Sequence, residues 1–226
     1  PAELQYYEIG TFNTVLLTTP DQYFKTNPVI GSRDPFRFWV IGDAGEGNAT
    51  QRDVRDAFIQ YNGGSPHADG WLLLGDNAYD GGFDAEYQVG MFQNMYESTL
   101  TNTSLWPSPG NHDYNNHIPF SPAPAYYDIF NLPTAGQSGG VASGTEKYYS
   151  FDYGNVHFIS LDSYDEPRSS TAAMATWLQA DLAANTQEWT VAYWHHPPYT
   201  KGTHDSDNPL LYDFEMVDMR QNILPI

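Results

Sequence analysis

Three features of the sequence predict an α/β fold with mixed β-sheets. Apolar runs of strand length alternate with segments of helical period along most of the chain. Two adjacent runs, KYYSFDYG and NVHFISLDS, meet at Gly154–Asn155, a hairpin signal that makes one strand pair antiparallel. Four other apolar runs, in FRFWVIGD, WLLLGD, LWPSPGNHD and WTVAYWHHPPY, end in polar side chains able to bind a metal. Functional groups collect in this way past the carboxyl ends of strands in an open α/β sheet.

Residues 1–32 hold two β-prone stretches, LQYYEIG and TVLLTTPDQYFKTNP, ahead of a break at Pro28–Gly31. They are expected to be the last strands of a preceding β domain or a hairpin added to a sheet edge. Residues 36–42 follow as a buried strand. TQRDVRDAFIQY, residues 50–61, has helical period, with Val54, Ala57, Phe58 and Tyr61 on one face. Residues 71–75 read as the next strand. Residues 84–98 read as a second helix, with Phe83, Tyr87, Met91, Met95 and Leu100 roughly in phase. The stretch 104–146 is rich in Pro and Gly and is expected to be mostly loop. After the hairpin come an amphipathic helix over 171–184, a strand over 189–194 and a last helix starting within 210–223. No repeat of about 20–50 residues is present.

The 226 residues are enough for one large domain or two small ones, and 40% apolar with 15% aromatic content can fill a core. The 28 acidic and 9 basic residues give a formal charge of -19, which argues against a nucleic acid polymer or an anionic lipid as partner. A phosphate-bearing substrate would also be repelled, unless bound cations reversed the local field. The absence of cysteine excludes disulfides and iron–sulfur clusters. No apolar stretch of about 18 residues is present, so no membrane span is expected. Asn-, Gly- and Tyr-rich loops with few lysines point to an extracellular or high-salt setting.

The four strand-end groups are Asp43; Asp76 with Tyr79; Asn111, His112 and Asp113; and His195. Hard oxygen and borderline nitrogen donors without thiolate suit Fe, Zn or Mn. Two metal ions about 3.5–4 Å apart need a bridging carboxylate, terminal ligands and an open position for water. Asp43, Asp76, Asn111 and His195 can supply the bridge and the terminal ligands. A Tyr79 phenolate requires a strongly Lewis-acidic ion, for which Fe(III) is the natural candidate. Asp113 is expected to orient a neighbour rather than to bind metal. His196 points opposite to His195, and His157 faces the other side of its sheet from Val156 and Phe158. Glu46, Asp53 and Asp56 read as a solvated helix start. Asn48 and Asn102 begin glycosylation sequons.

GDAG at 42–45, GDNAY at 75–79, GNHD at 110–113 and the strand ending in His195-His196-Pro197 resemble the calcineurin-like metallophosphoesterases. The Tyr of GDNAY makes the chain similar to their purple acid phosphatase branch, over about residues 36–226. The resemblance implies an αββα sandwich, with Asp43 and Tyr79 on an Fe(III) ion, Asp76 bridging, and Asn111 and His195 on a second ion, Zn(II), Mn(II) or Fe(II). It places His112 and His204 beside the substrate, where they orient the phosphoryl group and protonate the leaving oxygen. The implied reaction is hydrolysis of a small phosphate monoester by a metal-bound hydroxide. The alternatives are a phosphodiesterase or nucleotidase on the same centre, or a non-catalytic cation-binding surface or assembly module.

The sequence departs from the family in lacking the late GHxH string that gives one more His to each ion. Residues 33–226 are therefore expected to be a catalytic domain incomplete at its C-terminus, and residues 1–32 the tail of a fibronectin-like β domain. A further C-terminal segment would be needed to complete the metal site, and weak metal retention is expected without it. An extracellular or periplasmic, secreted protein is expected.

Overall fold

The structure, a computed structural model, describes residues 3–20, 22–93, 95–117, 124–208, 210 and 213–226. Its first four strands are β1 (Leu4–Tyr6), β2 (Ile9–Thr11), β3 (Thr14–Leu17) and β4 (Tyr23–Lys25). β1 pairs with β4 and β2 with β3, both antiparallel, and among the described residues neither pair joins a larger sheet. The expected strand pairs are present, but as an arm of their own rather than as an addition to a sheet edge. The arm is fastened by Tyr7 Oη donating to the Thr101 carbonyl at 2.8 Å and by an ion pair of Lys25 with Asp69. Asn102 is buried and donates its amide to the Tyr23 carbonyl at 3.0 Å. The second sequon is thereby committed to packing, whereas Asn48 is exposed.

The first sheet holds β5 (Phe38–Ile41), β6 (Gly70–Leu74) and β7 (Leu105–Ser108), all parallel, in the order β5-β6-β7. The second holds β8 (Tyr149–Tyr153), β9 (Val156–Ser160) and β10 (Trp189–Tyr193), in the order β10-β9-β8. β8 and β9 form the expected antiparallel hairpin, and β10 runs parallel to β9. In the first sheet, β6 carries the long apolar burial of a central parallel strand. β5 is an edge strand, so the strand expected to be buried leaves Val40 52% exposed.

The sheets pack face to face through aromatic rings. Trp106 stacks on Phe151 with ring centres 3.7 Å apart, and Phe38 stacks on Phe158 at 5.0 Å. Such pairs add about 0.5–1.5 kcal/mol each beyond their buried area. Pro107 sits on edge strand β7, where its missing N–H leaves no ladder bond unmade. Its carbonyl accepts from Tyr126 Oη, Tyr149 Oη and Ser160 Oγ at 3.0, 2.7 and 3.3 Å, which ties the first sheet to the second.

Helices cover both outer faces and complete the αββα layering. α1 (Ala49–Tyr61) and the short α2 (Asp84–Tyr87) and α3 (Glu97–Leu100) lie on the first sheet, where Trp39 stacks on Phe58 and Trp71 meets Tyr96 edge-on. α1 forms as expected, but its inward face is rotated. Gln51 is buried and donates to the Gly90 carbonyl and Tyr96 Oη, and Arg55 donates to the Met95 carbonyl. Val54 and Tyr61 are exposed instead. The helix expected over 84–98 is broken. It widens after Tyr87 into a looser turn ending at Phe92, where Gly90 presses against the Gly45 backbone, and α3 restarts beyond it. Tyr87, Met91 and Met95 are buried as expected, while Phe83 is exposed. The loop-rich stretch carries β7, a tight turn over His112–His117 and α4 (Tyr126–Ile129). Within the region of the last expected helix, residues 211 and 212 lie outside the described residues.

α5 (Ala173–Ala184) and α6 (Phe214–Asp218), which continues as a wider turn to Ile223, cover the second sheet. Met174, Leu178, Met219 and Ile223 meet Ile159 and Leu161 there. His157 points to this side, as expected, between two carboxylates: Asp181 of α5 at 2.8 Å and Asp152 at 2.7 Å. Asp181 is fully buried and also accepts from Val141 N–H and Ser150 Oγ. Burial alone would lower the His157 value, but the hydrogen bonds and charges of Asp181 and Asp152 raise it.

Asp181→Ala removes one of the two carboxylates that hold His157 in the core and should cost about 3 kcal/mol in urea denaturation. The His157 contribution should be complete below about pH 6.5, its ordinary value, and should fade as pH rises through the raised folded value. The stability gap between the native chain and His157→Gln should therefore shrink with increasing pH. A gap that widened would contradict this account.

Candidate metal centre

β5, β6 and β7 run parallel, so their carboxyl ends share one edge of the first sheet. Asp43 follows Ile41, Asp76 follows Leu74, and Asn111 follows Ser108 after a short turn. β10 brings His195 to the same edge from the second sheet. Asp43 and Asp76 both adopt left-handed backbone, with φ 54 and 53. That conformation costs a non-glycine residue about 1 kcal/mol or more. Two glycines let the segments close in. A Cβ on Gly75, whose φ is +87, would lie 2.6 Å from His195 Cβ, and one on Gly110 would lie 2.3 Å from Asp76 Oδ1.

Asp43, Asp76 and His195 each offer one ligand atom, and these atoms lie within 4.8 Å of one another. The Tyr79 hydroxyl sits 2.8 Å from Asp43 Oδ1 and 2.9 Å from Asp76 Oδ2. Asp76 Oδ1 accepts the His112 backbone N–H at 2.9 Å, and Oδ2 lies 3.3 Å from His195 Nε2. His195 Nδ1 donates to the Leu74 carbonyl at 2.9 Å, which turns Nε2 into the cluster. This use of the second ring nitrogen is what fixes a metal-binding histidine. Two carboxylates, a phenol and an aimed imidazole form a donor set that fits an Fe, Zn or Mn ion.

The electrostatics agree. Burial alone would raise the Asp76 carboxyl, but His195 and the His112 N–H bring it below the ordinary value. Burial alone would lower His195, but the hydrogen bond and charge of Asp76, with Asp43 behind it, lift it to about 9. Burial and then the Asp76 and Asp43 charges push the Tyr79 phenol far up. The His195 and Tyr79 shifts report a concentrated negative charge, and the Asp76 shift reports the cationic partner it holds.

Asp113 does not face the cluster. It is buried and accepts from Gly110 N–H at 2.8 Å, from the Asn77 backbone and amide at 3.1 Å, and from Tyr87 Oη. It orients neighbours, as the sequence suggests. Burial raises its carboxyl to about 6 against the pull of the Tyr87 hydrogen bond. His196 also lines the cleft but is buried, with Nδ1 2.9 Å from Ser163 Oγ. Burial, followed by the charge of His195, lowers it to about 3.

The cluster opens into a cleft of about 610 Å³. All seven residues singled out in the sequence line it: Asp43, Asp76, Tyr79, Asn111, His112, His195 and His204. His112 Nδ1 lies 2.6 Å from the Asp80 carbonyl, which leaves Nε2 as its outward nitrogen. Tyr164, Asp213 and Glu215 also line the cleft and were missed in the sequence. Tyr164 follows the end of β9, so the strand-end rule applied to FISLDSY would have found it. Nothing in the local sequence marks Asp213 or Glu215, because it is the fold that brings them there.

The family model for calcineurin-like phosphoesterases matches residues 36–220. The chain is 32% identical to purple acid phosphatase 21 of Arabidopsis thaliana over 78% of this chain and 38% of that protein. It is 27% identical to a purple acid phosphatase of Glycine max over 86% of this chain and 41% of that one. Among solved structures it superposes on purple acid phosphatase PPD1 from yellow lupin seeds with a TM-score of 0.63 at 18% identity, over 89% of this chain and 38% of the lupin chain. The chain thus spans less than half the length of each of these relatives.

His195→Ala should abolish the calorimetric signal of Zn(II) or Mn(II) binding. Gly110→Ala, whose new methyl displaces the Asp76 carboxylate, should weaken metal binding about 10- to 100-fold, the range expected when groups supporting a ligand are lost. Unchanged binding in both variants would remove the cluster as the metal site.

Proposed function

The chain belongs to the calcineurin-like phosphoesterase family, on its purple acid phosphatase side, and from that premise we propose that it hydrolyses phosphate monoesters at the cleft. The observation that carries this reading is the convergence of Asp43, Asp76 and His195 ligand atoms within 4.8 Å. Asp43 and Tyr79 would hold an Fe(III) ion, Asp76 would bridge, and Asn111 and His195 would hold a second, divalent ion: Zn(II), Mn(II) or Fe(II). Bound there, the ions would supply Lewis acidity toward the phosphoryl oxygens and lower the pKa of water.

The chain's own residues do the rest. Tyr79 would have to give up its proton to join the ligand set, which burial and the surrounding carboxylates oppose unless a cation outweighs them. The formal charge of -19 repels a phosphate ester at long range, so cation loading decides whether substrate enters at all. His112, fixed through Nδ1 on the Asp80 carbonyl, presents Nε2 to a phosphoryl oxygen. His204, which also lines the cleft, protonates the leaving oxygen. A diesterase reading would use the same groups with a second ester arm in the cleft.

Metal-loaded protein should hydrolyse p-nitrophenyl phosphate faster than bis(p-nitrophenyl) phosphate, and Asp76→Asn should reduce turnover at least about 100-fold with the far-UV spectrum unchanged. The reverse substrate order would favour the diesterase. Cation binding without turnover of either ester would leave a cation-binding module. Tyr79→Phe should abolish the visible absorption of the iron-loaded protein, and a retained band would deny Tyr79 its place on Fe(III).

A further inference from the structure

Four histidines line the cleft with Nδ1 held by a partner, and the partners differ in kind: His196 meets the Ser163 hydroxyl. His195 and His112 meet backbone carbonyls, those of Leu74 and Asp80. His204 meets a carboxylate, Asp213 Oδ2, at 2.9 Å. A carbonyl fixes a tautomer. A carboxylate also stabilises the imidazolium that a proton donor must form before it gives its proton up.

Asp213 stands at the N-cap of α6, where an Asp side chain normally accepts from the first backbone N–H groups. Here it makes no capping hydrogen bond and reaches His204 instead. The loop that carries His204 is held from the same helical segment at its other end. Arg220 donates to Asp207 Oδ1 at 2.9 Å and to the Ser206 carbonyl at 3.3 Å, and lies over the Tyr199 ring. Ser206 is buried and closes the loop on Thr200, its Oγ accepting from Thr200 N–H at 3.0 Å. α6 and the turn that continues it are anchored in the core by Met216 and Met219.

We propose that Asp213 is a positioning residue that holds His204 with Nδ1 protonated and Nε2 toward the substrate, so that Nε2 delivers the proton to the leaving group. The proposal rests on the phosphoesterase reading above. As water forms its bond to phosphorus, the bond from phosphorus to the leaving oxygen breaks and keeps its electron pair on that oxygen. The Nε2 proton passes to the oxygen, Nδ1 keeps its own proton on Asp213, and the proton released by the attacking water restores His204. The Asp213–His204 pair is 42% and 63% exposed, so it adds little to stability, and Asp213→Ala should fold.

The test compares phenyl phosphate, a poor leaving group, with 2,4-dinitrophenyl phosphate, a good one. Asp213→Ala should lower kcat on phenyl phosphate about 100-fold, with at least tenfold less loss on the dinitrophenyl ester and KM little changed on both. Asp213→Asn, which keeps an acceptor but no charge, should fall between. An equal loss on both esters, or none, overturns the proposal. Nitrogen-15 NMR of the His204 ring gives a second readout that needs no turnover. The native chain should show the Nδ1–H tautomer, and Asp213→Ala should lose it; the same tautomer in both overturns the proposal. If no ester is hydrolysed but the tautomer shifts, the phosphoesterase reading fails while the orientation by Asp213 stands.

Discussion

The metal-facing cluster depends on a carboxylate that does not belong to it. Asp113 is fully buried and collects donors from three segments: Gly110 of its own turn, Asn77 beside Asp76, and Tyr87 of α2. An uncompensated carboxylate at that depth would be costly. Four donors make it tolerable, and they are donors from the loops whose relative placement sets the cluster. Asp76 is next in sequence to Asn77, and Asn111 is next to Gly110, so Asp113 fixes the spacing of two cleft-lining residues by fastening their neighbours. Burial still lifts its carboxyl to about 6, a sign of how much solvation it has given up for this placement.

The cluster is held together against its own repulsion. Asp43 and Asp76 both approach the Tyr79 hydroxyl, and each takes up left-handed backbone to do so. The strain and the like charges point to a net attraction for something positive. The His195 value of about 9 shows the same preference from the other side. Features that destabilise a fold are tolerated where the surroundings over-determine them. Here the surroundings are the Leu74 carbonyl on His195, the His112 N–H on Asp76 and the two glycines that permit contact.

Much of this was legible in the sequence, because strand ends are legible. Apolar runs closing on GD, GD and GNHD give both the strands and the groups past them, and the parallel pairing of β5, β6 and β7 follows from the helices between. The hairpin at Gly154 was equally clear, since Gly154 takes φ 58 in the turn. What could not be read was which polar side chains have partners. Gln51 and Arg55 face inward on α1 because Gly90, Tyr96 and Met95 offer acceptors far away in sequence, and no periodicity of apolar residues reports that. The break in the second helix has the same origin: its apolar positions are in phase, but the Gly90–Gly45 contact decides the backbone. Asp213 was invisible because its partner lies across a loop rather than one helical turn away.

The site is shared between two sheets, and this sets a demand on the core that a single-sheet site would not make. Asp43, Asp76 and Asn111 leave the first sheet and His195 leaves the second, so the distance from Asp76 to His195 is an inter-sheet distance. It is held by rings in contact, Trp106 on Phe151 and Phe38 on Phe158, and by the Pro107 carbonyl taking three hydroxyls. Tyr193, two residues before His195, adds a hydroxyl to the Trp106 carbonyl at 3.2 Å. Close-packed aromatic cores transmit small displacements rather than absorbing them. The aromatic content that first suggested a well-filled core therefore has a more specific use: it sets the gap across which the ligands must meet.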